Sequence, residues 1–273
     1  MGADLHVHTT ASDGTLKAYE CIQKAVDIGL EAISITDHDT VEGIDEAIET
    51  SKRYSDFIFV SGIELSTEYD DTEVHVLGYL IDHYCTDLKI FLNKMKAERE
   101  ERSKKIVKKL NEIGIKISFE ELKGHVNSGT IGRPHIAQLL VEKGHTNTIK
   151  NAFDKFLLKG RAAFVPRKKV SPEEAIQIIL KANGLPVLAH PVFLNNKKQI
   201  TDVLKLGFVG VEVEYPNHYI EFKRWLSLIA KEMDLLTTGG SDFHGGFKGT
   251  ELGSHTVNIS VIRELQRLKG ERE

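Results

Sequence analysis

The sequence predicts an α/β protein, a parallel sheet or barrel of strands separated by helices and interrupted by a helical insertion. Three observations predict it. Short β-rich runs alternate with amphipathic stretches in both the first and last thirds of the chain. The alternation breaks over residues 83–165, where no strong strand pattern interrupts a series of helix-like segments. Finally, His, Asp and Glu gather where the strand-like runs end, as functional groups do at the C-terminal ends of strands in βα barrels.

Taken in order, residues 3–8 alternate as a half-buried strand does, and residues 16–28 carry Leu16, Ile22, Ala25 and Val26 at helical spacing, with Gly29 placed to end the helix. Residues 31–36 read as the second strand and 43–53 as the second helix. The run Phe57-Ile58-Phe59-Val60 leads into Gly62 and Glu64 as the third strand, which Glu64 closes, and Val74–Tyr79 forms a fourth. Residues 86–113 predict one long charged helix with apolar Leu88, Leu92, Met95, Ile106, Leu110 and Ile113, and residues 118–160 predict shorter helices. Ser171, Pro172 and Glu174 spell a capping box with proline in the first turn. From there the alternation resumes: a helix to Gly184, a strand at 185–189, a helix at 196–206, a strand at 209–214, a helix at 218–233, a strand at 235–238 and a charged terminal helix over 261–273. The domains expected are a barrel of residues 1–82 with 166–273 and an insertion of 83–165.

Composition narrows the function classes. The formal net charge of −4 argues against a protein that coats nucleic acid, though not against a local basic patch. No apolar run reaches the roughly 20 residues of a membrane-spanning helix, and no basic-then-apolar leader is visible. Cys21 and Cys85 are too few for a disulfide framework. The expectation is a cytoplasmic protein with no membrane association and no evident obligate protein partner.

The chemistry begins at Asp4-Leu5-His6-Val7-His8. Residues two apart on a strand point to one face, so both imidazoles aim at one spot. Asp13, His38, Glu64, His75, His190, Asp242 and His244 follow at or near later strand ends. Each has an ordinary reading alone, His as a surface or hydrogen-bonded core residue and Asp13 or Asp39 as a helix cap. Together they exceed the needs of one tetrahedral ion and suffice for two or three. Imidazole and carboxylate without thiolate suit Mn²⁺, Fe²⁺ or Zn²⁺ without choosing among them. Such a site is net positive and favours a phosphate dianion.

The stretches Asp4-Leu-His-Val-His8, Ser12-Asp13-Gly14, Thr36-Asp-His-Asp39, Gly62-Ile-Glu64, His75-Val-Leu-Gly78, Ala189-His-Pro191 and Ser241-Asp-Phe-His244 together resemble the PHP (polymerase and histidinol phosphatase) family. The resemblance runs through almost the whole chain. It implies a distorted (β/α)₇ barrel with a trinuclear metal centre. It would make His6 and His8 ligands of one ion, bridged by Glu64 and completed by Asp242. His75 would join Glu64 on a second ion, and Asp13, His38 and His244 would serve a third. His190 would belong to the same cluster.

A narrower resemblance is to the stand-alone, TrpH-like nucleotide phosphoesterases. It rests on Gly132-Arg133-Pro134-His135-Ile136-Ala137, on the helix bearing Arg99 and Arg102, and on Val165-Pro166-Arg167. It implies hydrolysis of the 3′-phosphate of nucleoside 3′,5′-bisphosphates, or trimming of short 5′-phosphorylated RNA. The insertion would then act as a lid presenting Arg133, His135, Arg99 and Arg102 to substrate, since arginine suits bidentate phosphate recognition. Arg99 and Arg102 also fit a solvated helix face with ion pairs between neighbouring turns. Arg167, Lys168 and Lys169 are further phosphate-binding candidates.

The expected reaction is metal-assisted phosphoester hydrolysis, in line with the leaving ribose oxygen, with Asp242, His190 or His244 moving protons. Histidinol phosphatase is the near alternative and is disfavoured by the insertion motifs. An amidohydrolase shares the opening His-x-His but fits Asp37-His38-Asp39 and Asp242-x-His244 poorly. A non-catalytic binding module of the same family would tolerate missing ligands, and none is missing here.

Overall fold

The computed structural model describes residues 2–124, 131–166, 169–245 and 249–272; His125, Arg167 and Lys168 lie outside the described residues. The chain divides into two compact units, Met1–Phe91 with Lys169–Glu273, and Leu92–Lys168.

Elements follow in chain order as β1 (Ala3–Val7), α1 (Ala18–Asp27), β2 (Ala32–Ile35), α2 (Ile44–Ser51), β3 (Ile58–Tyr69) and β4 (Thr72–Tyr79). Next come α3 (Thr86–Glu112), α4 (Phe119–Gly124), α5 (Arg133–Glu142) and α6 (Ile149–Ala152), which runs into a π-helical turn, Phe153–Leu157. The chain then makes α7 (Pro172–Lys181), β5 (Leu185–Leu188), a 3-10 turn at Pro191–Phe193, α8 (Lys197–Leu204), β6 (Gly210–Glu214), α9 (Ile220–Glu232), β7 (Leu236–Gly239) and α10 (Ser260–Gly270).

Local chemistry sets the helix ends. The hydroxyl of Ser171 accepts from the Glu174 amide at 3.2 Å while the Glu174 carboxylate accepts from the Ser171 amide at 2.9 Å, the reciprocal cap that starts α7. Asn196 caps α8 by accepting from the Gln199 amide at 3.0 Å. Gly29, at φ 78°, closes the turn after α1 in a backbone region that other residues seldom enter.

The strands form one 7-stranded sheet in the order β1-β2-β3-β4-β5-β6-β7. Pairing is parallel for β1-β2, β2-β3, β5-β6 and β6-β7. Beyond β7 the chain returns to β1, where Phe243 bridges Val7 in parallel and Val257 bridges Ala3 in antiparallel fashion. These bridges bring the two edges of the sheet together into a nearly closed, distorted barrel.

Two details depart from the alternating βα pattern. β3, β4 and β5 pair antiparallel. The reason lies in Asp70 and Asp71, which alone link β3 to β4, at φ 46° and 59°. A two-residue turn with both φ positive makes a hairpin, whereas a parallel crossover needs about a dozen residues or more. Moreover, β3 runs on to Tyr69, so Glu64 sits in mid-strand rather than at its close. Ser66 and Thr67 look like loop residues, but both are buried, and the Thr67 hydroxyl donates to the Val74 carbonyl across the hairpin at 2.6 Å.

Among the described residues the first unit packs two apolar clusters. One joins Leu5, Leu77, Tyr79, Val187 and Leu265, and the other joins Val7, Ile22, Ile33 and Phe243. The second unit has its own core of Ile106, Leu110, Leu122, Ile136, Leu140 and Leu157. Among the described residues no helix is long and apolar enough to cross a membrane.

Leu77 is fully buried between β3 and β5. Leu77→Ala should therefore lower unfolding free energy by about 2–5 kcal/mol, read as a drop in denaturation midpoint with unchanged far-UV circular dichroism at low denaturant.

Candidate metal centre

β1 supplies the floor of the site. The pleat puts Asp4, His6 and His8 on one face, all fully buried. Asp4 is a staple rather than a ligand candidate. Its carboxylate accepts from the Ser241 hydroxyl at 2.6 Å and from the amides of Ser241, Gly253 and His6 at 2.9, 2.9 and 3.3 Å, tying the segment after β7 to β1. Burial raises its pKa to about 6 even against those donors. Gly240 lets this segment approach closely, because a Cβ there would stand 2.4 Å from the His6 amide nitrogen.

Beyond β2 the pairing with β3 continues. Asp39 donates its amide to the Glu64 carbonyl at 2.9 Å, and Glu64 donates its own to the Asp37 carbonyl at 3.2 Å. His38 is thereby set beside Glu64, its Nδ1 3.0 Å from Oε2. The flanking acids support the backbone. Asp37 accepts from the Thr9 amide and hydroxyl, each at 2.7 Å, and from the Ser12 hydroxyl at 2.6 Å. Asp39, in the left-handed region at φ 54°, accepts from the Ser66 amide.

The antiparallel hairpin delivers His75 to the same carboxylate. Ser66 pairs with His75 across the ladder, and His75 Nδ1 lies 2.8 Å from Glu64 Oε1. The Ala189 amide donates to the His75 carbonyl, which carries the chain past β5 to His190, whose Nε2 is also 2.8 Å from Glu64 Oε1. His190 has φ 25° and Asp242 φ 50°, strained values for such residues and of the kind found at functional sites.

From the far edge, His8 donates its amide to the Phe243 carbonyl at 2.9 Å, which fixes the Asp242–His244 segment over β1. Asp242 Oδ1 then lies 3.2 Å from His8 Nε2 and 3.5 Å from His6 Nε2. Asp13 Oδ1 lies 3.2 Å from His244 Nε2. All the predicted ligands, His6, His8, Asp13, His38, Glu64, His75, His190, Asp242 and His244, thus meet in one place. Their ligand atoms fall into four overlapping sets within 4.8 Å: His8, Asp13, His38 and His244; His6, Glu64 and His190; His6, His8 and Asp242; and His38, Glu64 and His75.

The outer contacts aim the imidazoles. His6 Nδ1–H donates to Glu212 Oε1 at 2.9 Å, and His244 Nδ1–H donates to the Asp242 carbonyl at 2.8 Å. His8 Nδ1 faces the Ser12 hydroxyl at 3.4 Å. In each ring Nε2 is the nitrogen turned toward the cluster. His6 Nε2, His8 Nε2, His38 Nδ1 and Glu64 Oε2 are buried with no hydrogen-bond partner among the described residues. Buried polar atoms left this way are costly, and imidazole nitrogens and carboxylate oxygens converging on one volume fit divalent cations.

Glu212 was not among the residues expected from sequence. Fully buried on β6, it accepts from His6 Nδ1–H and, through Oε2, from the His190 amide at 2.8 Å. Its signal in sequence was the alternation Val211-Glu212-Val213-Glu214, which reads equally as a strand with one solvated face. Tyr215 was missed too. Its hydroxyl donates to Asp242 Oδ2 at 3.0 Å, and burial beside Asp242 raises its pKa, keeping it a donor. His218 is buried behind Tyr215, with Nδ1–H donating to the Val213 carbonyl and its pKa lowered by burial to about 4.

The residues predicted to meet substrate lie in the second unit. Arg99 and Arg102 are on α3, and Arg133 and His135 open α5. Arg102 donates to the Val165 carbonyl at 2.9 Å, the Arg133 guanidinium lies 5.8 Å from the Phe153 ring, and His135 Nδ1 accepts from the Gly132 amide at 3.1 Å. Lys169 instead pairs with Glu68 and Asp71.

This chain belongs to the PHP domain family, whose model matches residues 4–182. It is 33% identical to a 5′-3′ exoribonuclease of Haemophilus influenzae over 264 residues, 95% of this chain and 96% of that one. It is 30% identical to a 3′,5′-nucleoside bisphosphate phosphatase of Chromobacterium violaceum, covering 96% of each chain. A solved structure from Bifidobacterium adolescentis, described as a candidate metal-dependent phosphoesterase, superposes with a TM-score of 0.90 at 31% identity, over 98% of this chain and 96% of that one.

Two outcomes test the geometry. Glu212→Gln keeps the shape but leaves an amide group facing a donor, and should lower metal affinity or turnover about 10–100-fold, checked by metal titration. Burial alone lowers the pKa of His8 and His75, but Asp242 and Glu64 around the first, and Glu64 and Glu73 around the second, outweigh it and raise both from 6.5 to about 9. In chelator-stripped protein their contribution to stability is complete below pH 6.5 and is lost as pH rises through about 9. Metal displaces the same protons, so loading should tighten over that range. Melting temperatures of stripped and Mn²⁺-loaded protein should diverge with rising pH, and parallel curves would contradict the cluster.

Proposed function

We propose that this chain is a metal-dependent phosphoesterase acting on nucleotide phosphates, removing the 3′-phosphate of nucleoside 3′,5′-bisphosphates or trimming short 5′-phosphorylated RNA. The observation that carries the reading is the fully buried Glu64 carboxylate, with His6, His8, His38, His75 and His190 all within 3.4 Å of its oxygens. Phosphoesterase relatives that match nearly the full length support the reaction class.

The donor set fits two or three divalent ions of the Mn²⁺, Fe²⁺ or Zn²⁺ type. Bound there, they would supply Lewis acidity toward the phosphoryl oxygens and a water of lowered pKa. His6, His8, Asp242 and Glu64 would hold one ion, His75 with Glu64 a second, and Asp13, His38 and His244 a third, with His190 against Glu64. The side chains of His38 and His75 are each 15% exposed, those of His190 and Asp242 10% and 9%, and those of His6, His8, Glu64 and His244 not at all. Asp13, at 8%, is nearly as open as Asp242, so substrate would reach the cluster from the side of Asp13, His38, His75, His190 and Asp242. From that side Asp242 and His190 would handle the proton of the attacking water and of the leaving ribose oxygen, with His244 behind Asp242. Tyr215 holds one oxygen of Asp242, so the other stays turned to the imidazoles.

The residues 83–165 are read as the substrate-binding insertion, with Arg133, His135, Arg99 and Arg102 meeting a second phosphate. This assigns them binding rather than chemistry, so Arg133→Ala should raise KM for a bisphosphate more than it lowers kcat.

The test pairs elemental analysis with a panel of adenosine 3′,5′-bisphosphate, histidinol phosphate and a short 5′-phosphorylated RNA. The metal-loaded protein should hydrolyse the nucleotide substrates in preference, and Asp13→Ala or His244→Ala should remove most turnover. Preference for histidinol phosphate would select that phosphatase instead, and wild-type rates in either variant with unchanged metal content would refute the ligand assignment.

A further inference from the structure

The cluster's open side carries an aromatic residue that the metal site does not use. Phe193 is 54% exposed, among the most exposed large apolar side chains in the protein. Its position is not that of a loose loop. It ends the 3-10 turn Pro191–Phe193, which follows directly from His190. The Phe193 amide donates to the His190 carbonyl at 3.3 Å and the Leu194 amide to the Pro191 carbonyl at 3.1 Å. On either side of Phe193, Pro191 and Leu194 are buried and anchor the turn.

The ring stands against the site. Its centroid is 5.2 Å from the ring of His190, at an interplanar angle of 66°, and 5.9 Å from the ring of Tyr215, at 84°. Both neighbours meet it edge to face, and among the described residues no ring lies flat on it. A rigid aromatic surface thus lies open to solvent one ring away from a candidate metal ligand and beside the ring of Tyr215, whose hydroxyl holds Asp242.

Resting on the phosphoesterase reading above, we propose that Phe193 is a stacking platform for the nucleobase of the substrate. A nucleotide with its phosphate at the Glu64 cluster carries its base within one nucleotide's span, and among the described residues Phe193 offers an exposed aromatic face there. Every base has a π face, so a platform of this kind binds bases without reading their identity. Phe193 makes no hydrogen bond through its side chain, so the preference it confers is for a base over no base, and weak among the four bases. Phe193 is then a specificity determinant that separates nucleotides from small sugar or histidinol phosphates at a metal centre able to act on either.

The test is equilibrium binding to Mn²⁺-loaded protein, comparing adenosine 5′-monophosphate with ribose 5-phosphate, in wild type, Phe193→Ala and Phe193→Trp. Wild type should prefer the nucleotide by about tenfold or more. Phe193→Ala should bind both alike with unchanged ribose phosphate affinity and metal content, and Phe193→Trp should restore the preference. Equal binding of the two ligands by wild type, or an undiminished preference in Phe193→Ala, overturns the platform. Binding is read apart from turnover. If adenosine 3′,5′-bisphosphate is not hydrolysed, the proposed activity fails while the platform still stands or falls on the affinities.

Discussion

The site depends on a carboxylate placed where no water reaches it. Glu64 is fully buried in the middle of β3. An isolated buried carboxylate would take up a proton rather than pay the cost of charge in a low-dielectric interior. Burial does push its pKa upward, yet His38, His75 and His6 hold it well below the usual carboxylate range. The charge therefore persists only because imidazoles surround it. The same charge raises His8 and His75 and disfavours any arrangement that would expose one without the others. A centre of this kind is cohesive by electrostatics, and it offers an incoming cation ligands already gathered and desolvated.

The barrel gathers these candidate ligands by closing on itself. His6 and His8 come from one edge of the sheet, Asp242 and His244 from beyond the other, and the Val7–Phe243 bridge and the Asp4–Ser241 hydrogen bonds make them neighbours. Between the edges, the hairpin sets His75 diagonally opposite Glu64, where a parallel strand order would not. Left-handed backbone at Asp39, His190 and Asp242 aims these side chains at costs that the surrounding hydrogen bonds over-determine. Asp4, Asp37, Glu212 and Tyr215 form an outer ring that spends its hydrogen bonds on the ligands and their backbone.

Much of this was legible in the chain. The pairing of His6 with His8 followed from strand periodicity alone, and the capping box at Ser171 announced α7 to the residue. The long charged helix of 86–113 emerged as Thr86–Glu112. The hairpin was harder to see, because Asp70-Asp71 lacks the glycine that usually marks such a turn and because Ser66 and Thr67 imitate a loop. Glu212 and Tyr215 escaped because their roles depend on contacts with residues far away in sequence, 206 positions for Glu212 with His6. An alternating Val-Glu-Val-Glu strand does not say which of its faces is solvated.

Sequence by itself determined which residue types were present, in what order, and on which face of each local element they fell, because those follow from backbone periodicity and short-range hydrogen bonding. Tertiary structure decided that the two sheet edges meet, that β5 joins β4 antiparallel across the insertion, and that Glu64 is the centre with Glu212 and Tyr215 behind it. Those facts are set by long-range packing and by charge brought out of water, and neither has a period that can be read along a chain.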